Sequence, residues 1–158
     1  MNCRRLLLLI AVSTLVSRPA FAECLDVDIH TFAELAGVVF SGTVTRMESR
    51  SVSKKLTGQA MRGEAITFAV DRVWKGSPSK QFVVYNIRYS IESIAFMANT
   101  KYLVFAYRHS KEERTALGLA ASGPPTFGIG LCGQGTRFYE RAKDDIPKLG
   151  VGRTPPPN

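Results

Sequence analysis

Val38-Val39-Phe40-Ser41-Gly42-Thr43-Val44 alternates with a period of two, setting Val38, Phe40, Gly42 and Val44 on one face and Val39, Ser41, Thr43 and Thr45 on the other. That period predicts a strand with one buried face and a mostly polar outer one. Residues 65–74 repeat the pattern, with Ile66, Phe68 and Val70 opposing Thr67, Ala69, Asp71 and Val73. Lys75-Gly76-Ser77-Pro78 then turns the chain, because glycine relaxes the backbone and proline cannot continue a ladder. Residues 81–87 and 101–107 are rich in Val, Phe and Tyr, which suit a pleated, half-buried surface, and residues 117–121 are read as a fifth strand.

Around these strands the helical signals are few. Thr31-Phe32-Ala33-Glu34 fits a capping box and predicts a short helix ending at Gly37. Residues 136–145 are read as a second helix, because Phe138 and Ala142 stand four apart and Pro147 and Gly150 follow. The polar stretch 46–63 is read as a long exposed connection, residues 122–130 as an irregular loop, and residues 150–158, ending in three prolines, as a disordered tail. Strands without βαβ alternation point to a small barrel or sandwich. The economical reading is mainly β: a five-stranded OB-like antiparallel barrel with a short N-terminal and a C-terminal helix.

The compartment is read from the start of the chain. Arg4 and Arg5 precede an apolar run over residues 6–16, and Ala20-Phe21-Ala22 is a small-x-small cleavage site. Residues 1–22 are therefore expected to be a signal peptide, residues 23–149 one domain, and the product exported to the periplasm or the extracellular space. The apolar run is too short to cross a bilayer, and no transmembrane segment is expected. Loss of Arg4, Arg5 and Arg18 lowers the 21 basic residues to 18 against 13 acidic ones, and the net charge from +8 to +5. That excess favours anionic surfaces weakly. Cys24 and Cys132 are the two cysteines left, and in an oxidising compartment the reading is a single disulfide, with metal ligation as the rival.

Cys24, the run Ala36-Gly37-Val38-Val39-Phe40-Ser41-Gly42-Thr43-Val44, the stretch from Ile66 to Val73-Trp74-Lys75-Gly76, then Lys101-Tyr102-Leu103-Val104-Phe105-Ala106 and Leu131-Cys132-Gly133, occur in a familiar order. In that order and spacing the chain resembles netrin-like domains, and is similar to bacterial exported proteins grouped with the tissue inhibitors of metalloproteinases (TIMPs). The resemblance implies an OB barrel and a protein-binding role, with metalloprotease inhibition as the activity to consider. In the animal inhibitors a terminal cysteine of a Cys-x-Cys motif chelates the protease zinc through its amine and carbonyl. Here Glu23 precedes Cys24 and Asp26 stands where the second cysteine would be, so a chain cleaved after Ala22 is not expected to inhibit in that way.

Four constellations remain. Gly128-Ile129-Gly130-Leu131-Cys132-Gly133 has dinucleotide-type glycine spacing but lacks the strand, helix and distal acid that the fingerprint requires, so no nucleotide is expected. Cys24, Asp26, Asp28 and His30 would share one face of an extended segment, yet lack the glycine and glutamate of a calcium loop, and neither metal nor cofactor is expected. Ser41, His30 and His109 belong to no nucleophile motif, which makes a small hydrolase the third reading and the expected answer non-enzymatic. Arg46, Arg50, Lys54, Lys55 and Arg62 crowd the stretch 46–63 and, with Glu23 and Cys24, are the expected partner-binding residues. The partner expected is another exported or envelope protein, and an anionic polymer gripped by the basic stretch is the alternative.

Overall fold

The computed structural model describes residues 27–53, 58, 61–88, 94–130, 133 and 135–157. The expected signal peptide (residues 1–22), Glu23, Lys54, Lys55, Cys24 and Cys132 lie outside these, and with them the expected disulfide. Within them the chain is mainly β. The strands are β1 (Val38–Val52), β2 (Met61–Lys75), β3 (Gln81–Ile87), β4 (Lys101–Arg108), β5 (Phe127–Gly128) and β6 (Arg137–Phe138). Two short helices, α1 (Ile29–Leu35) and α2 (Lys111–Ala116), and the 3-10 turns Tyr139–Ala142 and Ile146–Leu149 complete it.

β1, β2 and β3 form an antiparallel meander, and β4 returns to lie against β1 from Val38↔Ala106 to Thr43↔Lys101, a Greek key. β5 then joins β3, in parallel at Tyr85↔Gly128, to β4, antiparallel at Tyr107↔Gly128. Five strands thus close into a ring, and β6 adds to β4 at Tyr102↔Phe138. Register shifts in β1 at Val39/Phe40, Ser41/Gly42 and Val44/Arg46 bend it enough to serve both neighbours. Gly42 sits at this bend because a Cβ there would lie 2.7 Å from the Ala69 carbonyl oxygen.

The inward face of the ring carries the main core, including Phe40, Val44, Ile66, Phe68, Val84 and Val104. Phe40, Phe68, Phe96 and Tyr102 meet edge-on in succession, at centroid distances of 5.3, 5.6 and 4.8 Å. The outward face of β1 and β4 is also covered, contrary to the polar outer face expected. Val39, Leu103 and Phe105 pack under Ile29, Ala36 and Ala142, so Leu103 and Val104 are both buried, on opposite sides of one strand. A third cluster seats Val52 and Ile87 against Ala116 and Leu117.

Several local expectations change. Residues 46–52 and 61–63 are not loop: β1 runs on to Val52 and β2 begins at Met61, paired from Arg46↔Thr67 to Val52↔Met61, and residues 54–57, 59 and 60 of the expected connection lie outside the described residues. Asp28, not Thr31, caps α1, its carboxylate accepting from the His30 amide at 3.0 Å, while Lys75 Nζ donates to the Ala33 and Glu34 carbonyls at the other end. His30 lies in this helix and not in an extended segment, and Cys24 and Asp26 of the expected face lie outside the described residues. The predicted fifth strand at 117–121 does not form: α2, opened by a capping box of Ser110 and Glu113, ends just before it with Leu117 as C-cap, and the fifth strand lies inside the supposed loop 122–130. The helix expected at 136–145 is β6 followed by a 3-10 turn. The tail is not free: Arg153 exchanges two backbone bonds with Val73 at 2.8 Å, Trp74 Nε1 donates to the Gly150 carbonyl at 3.0 Å, and Pro155 is buried.

Candidate functional site

The antiparallel register divides the basic stretch between two faces. Residues opposite one another in a ladder share a face, so Ser49 and Ser51 lie with Glu64 and Arg62, whereas Arg46, Glu48 and Arg50 lie with Thr67, Ala65 and Gly63 on the other side. Arg46 and Arg50 are thus outward. The Arg46 side chain is 72% exposed and pairs with Glu48 at 2.6 Å, a contact of small energetic weight in water. The Arg50 guanidinium stands 5.8 Å from the centroid of the Tyr85 ring.

Beside these arginines runs an open backbone edge. β4 accompanies β1 only as far as Thr43, and Val44 is then held by Thr100 and Asn99. From residue 45 to residue 51 β1 has β2 on one side and, among the described residues, no strand on the other. At Ser53 the backbone is engaged again, donating to the Ala116 carbonyl at 2.8 Å. The open run is therefore fixed at both ends, and unpaired N–H and C=O groups of such an edge are a template for another strand.

Arg62 faces the opposite way. Along each strand the inward residues pass from apolar to polar at this end of the ring: Met47 to Ser49 and Ser51 on β1, Ile66 to Glu64 and Arg62 on β2, and Val84 to Asn86 on β3, with Arg88 just beyond. The result is a polar cup of about 420 Å³ lined by Ser49, Ser51, Arg62, Glu64 and Arg88, with Arg50 and Gly63 also on its wall although their ladder positions face the other way. Arg88 Nη2 donates to Glu64 Oε1 at 2.8 Å, and its amide donates to the Arg62 carbonyl at 3.0 Å. Glu64 Oε2 and Arg88 Nε are buried without a hydrogen-bond partner among the described residues. Buried Asn86 donates to the Ile94 carbonyl at 3.2 Å beneath them.

Neither a known family model nor a curated protein matches the chain. The reading of the site therefore rests on its own geometry.

A second cavity, of about 270 Å³, lies where β5 closes the ring, lined by Ile87, Tyr107, His109, Glu113 and Ile129. His109 Nδ1 is 3.3 Å from Thr126 Oγ1, and the ring also bonds the Tyr85 backbone. Burial is the main influence on its pKa and holds it below the ordinary histidine value, so the neutral ring pins β3 to the segment around β5. Burial pushes the Tyr107 phenol up to about 12, which keeps it protonated. Among the described residues no three His, Cys, Asp or Glu side chains gather as a metal site, and no helix is long and apolar enough to cross a membrane.

Of the residues expected to bind a partner, then, Arg46 and Arg50 share the outward face, Arg62 is separated from them, and Lys54, Lys55, Glu23 and Cys24 lie outside the described residues. Glu64 and Arg88 were missed. Their signal was available, since Phe82, Val84, Asn86 and Arg88 continue one alternating series.

Proposed function

We propose that the chain is an exported, non-enzymatic binding module of netrin/TIMP-like type on an OB-like barrel. It holds another periplasmic, envelope or extracellular protein by accepting an acidic, extended segment of that protein as an added strand along residues 45–51 of β1. The observation that carries this reading is the coincidence of an open, end-anchored strand edge with two outward arginines, Arg46 and Arg50. Main-chain pairing gives such a complex its affinity, and the flanking cations select acidic side chains. The OB-like barrel is supported by the five-strand ring with its Greek-key return. Zinc chelation is not part of the proposal, because Glu23 supplies the terminal amine and carbonyl of a chain cleaved after Ala22.

The hydrolase reading draws little from the candidate residues. Ser41 is 1% exposed inside the sheet, and the His109 ring is engaged by Thr126 and the Tyr85 backbone. The anionic-polymer reading shares the two arginines but leaves the strand edge unused.

The test is capture from envelope extract with the wild-type protein and with an Arg46→Glu/Arg50→Glu variant, over rising salt. The proposal expects a defined protein held at low salt by the wild type and lost from the variant. Equal capture by both proteins, or a polysaccharide as the only species whose retention depends on the arginines, would overturn it.

A further inference from the structure

The polar cup lies on the opposite face of the β1–β2 ladder from the open edge, and it asks for an occupant of its own. Inward positions of a ring normally pack apolar side chains, as Ile66 and Val84 do one step away. Here the same inward series places Glu64 and Arg88 as an ion pair held by a single hydrogen bond, although a carboxylate and a guanidinium can pair through two. Breaking the hydration of Glu64 Oε2 and Arg88 Nε without replacing it makes this pair a poor device for stability alone. The arrangement serves a different end. Glu64, whose side chain is only 17% exposed, holds the Arg88 guanidinium from behind, while the Arg88 side chain is 39% exposed towards the cup.

We propose that the cup is a binding site for a hydroxylated monoanion, a sugar acid, whose carboxylate is taken by Arg62 and Arg88 and whose hydroxyl groups meet Ser49 and Ser51. Charge decides the class. With the Arg50 guanidinium beside the Tyr85 ring on the outward face, Glu64 cancels one of the two arginines that face inward, Arg62 and Arg88, which leaves the cup with a net charge near +1, matched to one carboxylate and poorly matched to a phosphate dianion. Arg62 is exposed and its side chain makes no hydrogen bond or ion pair among the described residues, so its fork is free to accept the ligand without breaking a native contact. The serine hydroxyls both donate and accept, as sugar hydroxyls require. The cavity of about 420 Å³ falls within the usual range for small-ligand sites. Glu64 acts as a positioning and selecting residue: it orients Arg88 and excludes a second negative charge.

The experiment is an NMR titration of the full exported protein with D-galacturonate, with D-galactose as the neutral control, and with inorganic phosphate. The expected result is saturable shifts of amides at residues 49–51 and 62–64 with galacturonate, none with galactose, and weaker binding of phosphate. Arg62→Ala, a surface change that leaves the fold intact, should weaken galacturonate binding about tenfold or more. Glu64→Gln should reverse the preference, so that phosphate binds more tightly than galacturonate. Digalacturonate separates the two sources of this chemistry: tighter binding than the monomer assigns the site to the end of an acidic polysaccharide, equal binding to the free acid. Absence of saturable binding, unchanged affinity in Arg62→Ala, or phosphate binding to the wild type as tightly as galacturonate would overturn the proposal. An acidic peptide on the outer edge shifts the amides of residues 45–51, so the amides of residues 62–64, on β2 away from that edge, tell the two binding sites apart.

Discussion

Ring closure rests on β5, a strand two residues long, and Gly128→Ala tests it sharply because the ordinary sign of the substitution is reversed. Gly128 does not have the positive φ that demands glycine, and at such a position alanine usually stabilises by about 0.4–1 kcal/mol through the unfolded chain. Here the added Cβ would run into His109 Nε2 and lie 2.7 Å from the Tyr85 carbonyl oxygen. His109 can rotate away only by giving up its bonds to Tyr85 and Thr126, worth about 0.5–1.5 kcal/mol each. The Tyr85 carbonyl belongs to the β3 backbone at its parallel pairing with Gly128 and has little room to move. Adding an overpacking cost of about 1–3 kcal/mol gives a net destabilisation of about 3 kcal/mol. Urea unfolding reads this as a lower midpoint at unchanged slope, by about 1–3 M for slopes of 1–3 kcal/mol/M. In the His109→Ala/Gly128→Ala double variant the two losses should sum to less than the singles predict, by about 1 kcal/mol, because the side-chain collision is gone. A Gly128→Ala midpoint at or above that of the wild type would refute the closure described for β3, β5 and β4.

Phe68, fully buried and edge-on to Phe40 and Phe96, should cost about 3–5 kcal/mol when changed to alanine, and a loss under about 1 kcal/mol by urea unfolding would reverse the assignment of the strand face. Because burial lowers the folded-state pKa of His109 below its ordinary 6.5, the unfolded chain takes the proton first: the contribution to stability is intact above that value and declines as pH falls below it. Unfolding midpoints measured from about pH 7.5 to 5 should show that decline, and His109→Gln should flatten it. Thr136 Oγ1 accepts from the Phe105 amide at 2.9 Å and lies 3.3 Å from its carbonyl, both buried, so Thr136→Val should destabilise by about 1–3 kcal/mol, and an unchanged midpoint would remove β6 and its approach from the account. If the chain is exported as proposed, thiol labelling of the denatured, unreduced protein should find neither Cys24 nor Cys132 free; labelling at both would exclude the disulfide.

What the sequence made legible follows from physics that acts locally. The period of two in residues 38–44 and 65–74 is enforced by the inward core, and Phe40 and Phe68 are where it places them. Val39 and Leu103 break the rule of a polar outer face because α1 and a 3-10 turn cover that face, a tertiary fact with no local period. Residues 46–52 and 61–64 lacked apolar alternation since their inward side opens into the cup and their outward side is open at Arg46 and covered by α2 and Leu117 only at its end, at Val52 and Met61, yet backbone pairing carries both strands on. β5 is too short to have a period at all. Ser110 and Glu113 did carry a legible capping box, masked by the apolar composition that follows from Leu117. At the candidate site the arginines were legible as a cluster, but their division between two faces required the register: Arg50 lies opposite Gly63, and Arg62 opposite Ser51.

Hydrogen–deuterium exchange of the protein, with and without an excess of an acidic peptide alternating glutamate and threonine, measures the use of the β1 edge directly. The account predicts slower exchange within residues 45–51, unchanged exchange across the β1–β4 pairing of residues 38–43, and loss of the effect in Arg46→Glu/Arg50→Glu. No protection at residues 45–51, or the same protection in the charge-reversed variant, would contradict strand addition as the way this protein binds.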